Sequence, residues 1–347
     1  MPHGWIILDK PLGLGSTQAV AAVKRVCREA GLGKIKVGHC GTLDPLATGV
    51  LPIALGEATK LAGRMLDASK VYAFTVAFGA ETDTLDLEGK VIATSDARPT
   101  FDEVEAVLPR FTGSIEQVPP VYSALKVGGQ RAYDLARAGQ SVELAVRQVT
   151  VHSLAMSSLL AGEDSAACSQ SGLVQLGEGA RQAQQSPSPT AASEQARKPA
   201  YPLPQGEWAE SITLLAHVST GTYIRSLARD IALALGTRGH VTMLRRLSAG
   251  PFSEIQAISL DKLNAVGKGA ALENVLLPLE AGLVDIPALD LSPQQAGMVR
   301  QGRVLSGLTH GDGLYWARTG LVPLALIELS GGDARVVRGF NLPDVAE

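Results

Sequence analysis

Residues 38–49 read Gly-His-Cys-Gly-Thr-Leu-Asp-Pro-Leu-Ala-Thr-Gly, and no single regular element can run through them. Gly38, Gly41 and Gly49 give the backbone access to positive φ and to close approach by other chain segments. Pro45 removes a hydrogen-bond donor and pushes Asp44 out of the α region into an extended or turn conformation. Whatever folds on either side, an irregular loop carrying Asp44 must be presented here. Between Asp9 and Glu57 the only other acid is Glu29. A lone carboxylate in such a loop is either ordinary turn punctuation or a reactive group displayed outward. These residues alone leave both readings open.

The flanking sequence supplies elements of both kinds. Gly4 to Leu8 reads as a strand. Ser16 or Thr17 caps a helix to about Ala30, with Val20, Val23 and Cys27 on its apolar face and Gly31 as its stop. Tyr72, Phe74, Val76 and Phe78 alternate, so the strand 71–78 carries them on one face. Thr82 to Glu88 is an acidic loop turning into a strand at Lys90–Ala93. Phe101–Leu108 and residues 131–138 read as short helices. Ile224, Leu227, Ala228, Ile231 and Leu235 fall at helical spacing, and Gly236 ends that helix. Beyond 285, Leu291-Ser-Pro opens a short helix, and Leu314–Ala317, Pro323–Glu328 and Ala334–Arg338 read as short strands.

Residues 157–207 are rich in Ser, Ala, Gln, Gly and Pro and poor in aromatics. Such a segment cannot bury enough apolar surface to offset its chain entropy, so a disordered insertion is expected. The strands expected on either side, about 146–156 and 211–218, would be hairpin partners, and a long insertion at a hairpin tip costs little stability.

Bulk properties exclude several classes. A chain of 347 residues suggests about two domains. No apolar run approaches the roughly 18 residues of a membrane span. The apolar stretch Trp5–Leu8 is too short for a signal peptide and lacks a basic lead-in. Cys27, Cys40 and Cys168 are scattered, which suits a reducing, cytoplasmic setting. There is no Cys-x-x-Cys pair, and His39-Cys40 is the only close pair of soft ligands, so no metal site is expected. Gly267-Lys268 lacks the rest of a phosphate-binding loop. The net charge of −3 looks wrong for a nucleic-acid binder, but its distribution does not. Residues 1–66 hold eight Lys/Arg against four Asp/Glu, a local +4, and residues 221–250 hold five arginines against Asp230, again +4. Affinity for RNA follows local basic patches rather than the chain total.

The 38–49 string resembles the catalytic motif of the bacterial tRNA pseudouridine-55 synthases of the TruB family. Asp9-Lys10-Pro11 with Gly13 and Ser16 resembles their N-terminal motif. Further likenesses are Leu51 to Lys60, Lys70-Val-Tyr72, Val118 to Lys126 with Gly129 and Arg131 to Arg137, Gly221-Thr-Tyr-Ile-Arg225, and Leu244-Arg-Arg-Leu247. Order and spacing agree from residue 4 to about 156 and from about 208 to 282. Gly15 stands where Ser is common and Cys40 where Thr is usual.

The resemblance implies an α+β fold, with a mixed, mainly antiparallel sheet and flanking helices. The catalytic domain would comprise 1–156 and 208–282, with 157–207 inserted and a small β-rich, PUA-like RNA-binding domain at 285–345. It implies an isomerase that breaks the ribose C1′–N1 bond of a T-loop uridine, rotates the base and joins C5 to C1′. Nothing is oxidised and nothing leaves, so neither cofactor nor metal is called for.

Asp44 would carry the reaction, by attack on C1′, by attack on C6 or by removal of a ribose proton; the resemblance does not choose. Arg225 would be the cation that keeps Asp44 ionised and aimed, against the plain alternative of a solvated helix arginine. Tyr72 would stack on the extruded base and handle the C5 proton, against the alternative of core packing with Phe74. Tyr223 and Leu244 would line the base pocket, and His39 would fill the gap left in the T loop. Arg245 and Arg246 would meet phosphates, and Lys10, with Pro11, would brace the loop at the substrate site. The partner would be the tRNA T arm, met by a cytoplasmic monomer. Two other classes remain: a non-catalytic tRNA chaperone, and a hydrolytic glycosidase using Asp83 or Asp86 as a second carboxylate.

Overall fold

The computed structural model describes residues 2–157 and 208–342. The expected insertion therefore lies outside the described residues but for Ser157. The chain forms two compact units, residues 1–72 with 245–347, and residues 73–244. Two strands, Lys70–Phe78 and Gly239–Ala249, pass from one unit into the other.

In the first unit, Gly4–Lys10 pairs antiparallel with Ala47–Leu55 along its whole length, from Gly4 opposite Leu55 to Lys10 opposite Gly49. Val37–His39 pairs with the far end of the same strand, His39 opposite Ile53. The Ala47–Leu55 strand carries Gly49 and Pro52, both of which read as breakers, so the sequence by itself reads as a loop up to Gly49. The helix Ser16–Glu29 follows the expected course, but its N-cap is Gly15 rather than Ser16 or Thr17. The Gly15 amide donates to Gln18 Oε1 at 2.7 Å, and the Ser16 side chain reaches Leu43 on the Asp44 loop instead.

The C-terminal residues form a four-stranded sheet in the order Ala288–Asp290, Gly313–Thr319, Val322–Ser330, Asp333–Gly339. The first pair is parallel and the others antiparallel, with the expected helix at Pro293–Arg300. One face of this sheet joins the core of the N-terminal segment. A single apolar cluster contains Trp5, Cys40, Val50 and Phe252 together with Leu326 and Phe340. Lys60 Nζ donates to the Gly339 carbonyl at 2.8 Å, and the Asn341 amide to Glu57 Oε2 at 2.6 Å.

In the second unit the sheet runs from Gly239–Ala249 through Lys70–Phe78, Ser211–Val218 and Arg147–Met156 to Gly113–Gln117. Arg147–Met156 and Ser211–Val218 are antiparallel neighbours, the hairpin partners expected around the insertion. Phe74, Val76 and Phe78 are buried on one face, as their alternation requires. The helix Ile224–Ala234 buries Ile224, Leu227, Ala228 and Ile231. No helix among the described residues is long and apolar enough to cross a membrane.

Candidate active site

Asp44 sits half-buried on the loop between the Val37–His39 and Ala47–Leu55 strands. Its own carbonyl accepts from the Ala47 amide at 3.0 Å, closing a turn. Both neighbours are tied to the N-terminal segment. Ser16 Oγ donates to the Leu43 carbonyl at 2.9 Å and accepts from the Leu43 amide at 2.8 Å. The Gly13 amide donates to the Pro45 carbonyl at 2.8 Å. A carboxylate whose neighbours are bonded in this way is held in place, not merely exposed.

Lys10 is fully buried. Its ammonium donates to the carbonyls of Leu14 at 2.6 Å, Pro11 at 3.0 Å and Pro45 at 3.2 Å. Three acceptors match its three donors, which is what makes a buried ammonium tolerable. Burial, with the charge of Arg246, lowers its pKa to about 8, and the nearby charge of Asp44 works in the opposite direction. A side chain without exposed surface cannot touch substrate, so Lys10 serves the loop from below.

Arg246 is buried as well, and there it departs from expectation. It is 1% exposed, which puts its guanidinium out of reach of an RNA phosphate. Nε donates to the Val50 carbonyl at 2.7 Å and Nη2 to the Gly41 carbonyl at 3.2 Å. Arg245 is partly exposed and is gripped by two acids. It pairs with Asp9 through both carboxylate oxygens, at 3.1 and 3.0 Å, and with Glu254 at 2.6 Å.

His39 is partly buried, and its Nδ1 is a buried atom with no hydrogen-bond partner in the protein. Burial and the charge of Arg246 lower its pKa below the ordinary value, so the ring is neutral at pH 7. Cys40 lies in the apolar cluster, and burial pushes its thiol up to about 12, which makes it a small core residue rather than a nucleophile. Tyr72 is partly exposed at the start of its strand, on the same face as buried Phe74.

In the second unit Arg225 is 7% exposed on the first turn of its helix. Its fork meets three acceptors. Nη1 donates to the Thr84 carbonyl at 2.8 Å and to Asp86 Oδ2 at 3.2 Å, and Nη2 donates to the Tyr122 carbonyl at 2.9 Å. It is therefore not a solvated helix arginine. Asp86 Oδ1 accepts from Thr84 Oγ1 at 2.5 Å and from the Glu88 amide at 3.0 Å. Asp86 is thus a counterion with its oxygens occupied, not the free acid that a glycosidase would use. Leu85 between them has φ of 63°, the only positive value at a non-glycine position among the described residues. Such a conformation persists only where its surroundings over-determine it, and the Val241 amide, bonded to the Leu85 carbonyl at 3.0 Å, is part of that frame.

The backbone of Tyr223 is clamped by one amide side chain. Gln117 Oε1 accepts from its N–H at 2.7 Å, and Gln117 Nε2 donates to its carbonyl at 3.1 Å. Leu244 is half-buried on its strand. Sequence reasoning missed both Asp86 as a partner of Arg225 and Gln117 as a clamp. The acidic composition of 82–88 pointed to the first; nothing local pointed to the second. Among the described residues no group of three or more His, Cys, Asp or Glu is placed to hold a metal ion.

Three imidazoles set an acid limit on stability. Burial is the main cause that lowers the pKa of His3, His39 and His217 below 6.5. Neutral His3 also accepts from the Glu57 amide at its Nδ1, at 3.1 Å. As pH falls through the ordinary imidazole value the unfolded chain binds protons first, so stability is present above about pH 6.5 and is lost below it. The thermal midpoint is expected to be lower at pH 5.5 than at pH 7.5, and the drop should be smaller in His39→Gln. An equal drop in variant and wild type would remove His39 from this account.

Two family models match the chain. The TruB family pseudouridylate synthase N-terminal domain matches residues 28–170, and the tRNA pseudouridylate synthase B C-terminal domain matches residues 225–284. A Novosphingobium aromaticivorans protein called tRNA pseudouridine synthase B is 64% identical over the whole of both chains. A protein of the same name from Zymomonas mobilis is 52% identical over 98% of this chain and 96% of its own. Among solved structures, a Cbf5-Nop10-Gar1 complex contains a chain that is 24% identical with a TM-score of 0.63, and an H/ACA RNP bound to a substrate RNA contains one that is 22% identical with a TM-score of 0.62. In each case 98% of this chain and 85% of that chain are covered. At those identities the likeness is one of fold.

Proposed function

This chain belongs to the TruB family of pseudouridine synthases, and from that footing we propose how it works: it isomerises uridine 55 in the T loop of tRNA, with Asp44 as the group that breaks and re-forms the glycosidic bond. The observation that carries the role of Asp44 is its loop. A partly exposed carboxylate is held between Leu43 and Pro45, which are bonded to Ser16, Gly13 and buried Lys10. A group that must meet one ribose or one uracil carbon has to be fixed to within a fraction of an ångström.

The target base is stacked inside a folded loop and must first be extruded, at a cost of a few kcal/mol. Tyr72 is our candidate for the aromatic face that offsets this, since a stacked base contributes about 1–3 kcal/mol. The same phenol is assigned to take the C5 proton in the last step. Tyr223 and Leu244 are assigned to the base, and His39 to the space the uridine vacates. A neutral ring with a free Nδ1 suits stacking among bases better than a charged one. Arg225 is assigned as the cation of the site, and Arg245, partly exposed and paired with Asp9 and Glu254, to phosphate. Substrate and product are isomers, C1′–N1 and C5–H being exchanged for C1′–C5 and N1–H, so the chemistry calls for no redox partner. We take the enzyme to act on tRNA in the cytoplasm, as a monomer.

Primer-extension mapping of pseudouridine in a T-arm RNA treated with the protein tests this directly. The expected result is one new stop, at the position corresponding to uridine 55. Free uracil in place of pseudouridine would replace the isomerase with a hydrolase, and unmodified RNA would leave only binding.

A further inference from the structure

We propose that Arg246 is a positioning residue for the reaction, a buried clamp that closes both ends of the Asp44 loop and whose backbone leaves no room for a side chain at Gly49. The inference rests on the reading of Asp44 as the reacting group. Its guanidinium binds the carbonyls of Gly41 and Val50, which bracket the loop in sequence. The two glycines face different parts of the same residue. A Cβ on Gly49 would lie 2.2 Å from the Arg246 carbonyl oxygen and 2.9 Å from its amide nitrogen. A Cβ on Gly41 would lie 3.4 Å from Arg246 Nη1. Both glycines have positive φ, 98° and 113°. The backbone of Arg246 thus packs on one end of the loop and its side chain ties the other.

The fork geometry matters. The carbonyls of Val50 and Gly41 are met by two different nitrogens, Nε and Nη2, of one planar group, a fixed spread of donors that a compact point-charge ammonium does not match. A guanidinium with 1% exposure has been taken out of water at considerable cost. A phosphate ligand would require exposure. Geometry of this kind acts on the chemical step, because a misplacement of about 1 Å can cost 10²-fold in rate.

The test uses the full-length protein and Arg246→Lys, which keeps the charge and loses the fork. Turnover per folded molecule is expected to fall about 100-fold with KM within about threefold. The slope of log K against log salt for tRNA binding should stay unchanged, whereas loss of a phosphate contact lowers it by about one unit. Amide exchange across residues 38–50 should become at least about tenfold faster, a readout independent of activity. If Arg246→Lys does not fold, Arg246→Met, of similar length and suited to a buried position, is read the same way. A kcat within twofold of wild type after correction for folded fraction, an altered salt slope with intact kcat, or unchanged exchange would each overturn the clamp. Persisting turnover in Asp44→Asn would instead overturn the reading of Asp44, and the exchange result would still report on Arg246.

Discussion

Asp44→Asn is expected to reduce pseudouridine formation by roughly 10⁴-fold or more while tRNA affinity changes by less than about threefold. The substitution preserves shape and removes only the ionised oxygen pair. The bonds that hold the loop come from the backbones of Leu43, Pro45 and Ala47, so Asn should take up the same place. Every route open to the reaction, whether addition at C1′, addition at C6 or proton removal from the ribose, needs an electron pair on this group. An amide offers none of comparable basicity. Release of tritium from uridine labelled at C5 gives the rate, and filter binding gives the affinity. Equal tritium release from variant and wild type would remove Asp44 from the reaction. Loss of binding together with turnover would show that it holds the RNA instead.

Arg225→Met should have the second-largest effect, on stability and turnover at once. The Arg225–Asp86 pair has side-chain exposures of 8% and 11%. Removal of one partner leaves the other charge buried, which typically costs about 3–5 kcal/mol. The carbonyls of Thr84 and Tyr122 lose a donor as well. Arg225→Lys keeps a charge opposite Asp86 but cannot meet three acceptors with a planar fork. It should therefore stay closer to wild type in thermal midpoint and still lose about 100-fold in kcat. Asp86→Asn should lower kcat in the same direction, and the double variant Arg225→Lys/Asp86→Asn should lose less than the product of the two single losses. Strict additivity would show that Asp86 does not act through Arg225.

The parts of this molecule that could be read from the sequence are those with a local signal. Alternation revealed the strand bearing Phe74, Val76 and Phe78, and helical spacing revealed Ile224–Ala234, because each pattern records a buried face directly. The Asp44 loop was legible as punctuation, and the family resemblance supplied its meaning. The strand Ala47–Leu55 was hidden because Gly49 and Pro52 resemble breakers. Its hydrogen bonds come from partners tens of residues away, which local propensity does not record. Arg246 was misread, and the depth of Lys10 missed, for a related reason. A basic side chain has the same letter whether it lies in solvent or under a loop. What buries these two are carbonyls at Leu14 and Pro45 in one case and at Gly41 and Val50, some two hundred residues upstream, in the other. Ser16 was legible as a cap by type, but Gly15 took the cap and Ser16 reached Leu43 instead.

The apolar cluster that unites Cys40 and Val50 with Leu326 and Phe340 limits how this protein can be taken apart. The terminal sheet is not a detachable module strung on a tether; it supplies one wall of the room in which the reactive segment is built. A premature stop codon after residue 282 would strip that wall, taking Leu283, Ile286, Leu326 and Phe340 out of the cluster, so the shortened chain would be a target for proteolysis rather than a leaner enzyme. Grafting a foreign tail would demand matched recoding on both sides of the seam, which ties the evolution of the ending of the chain to that of its beginning.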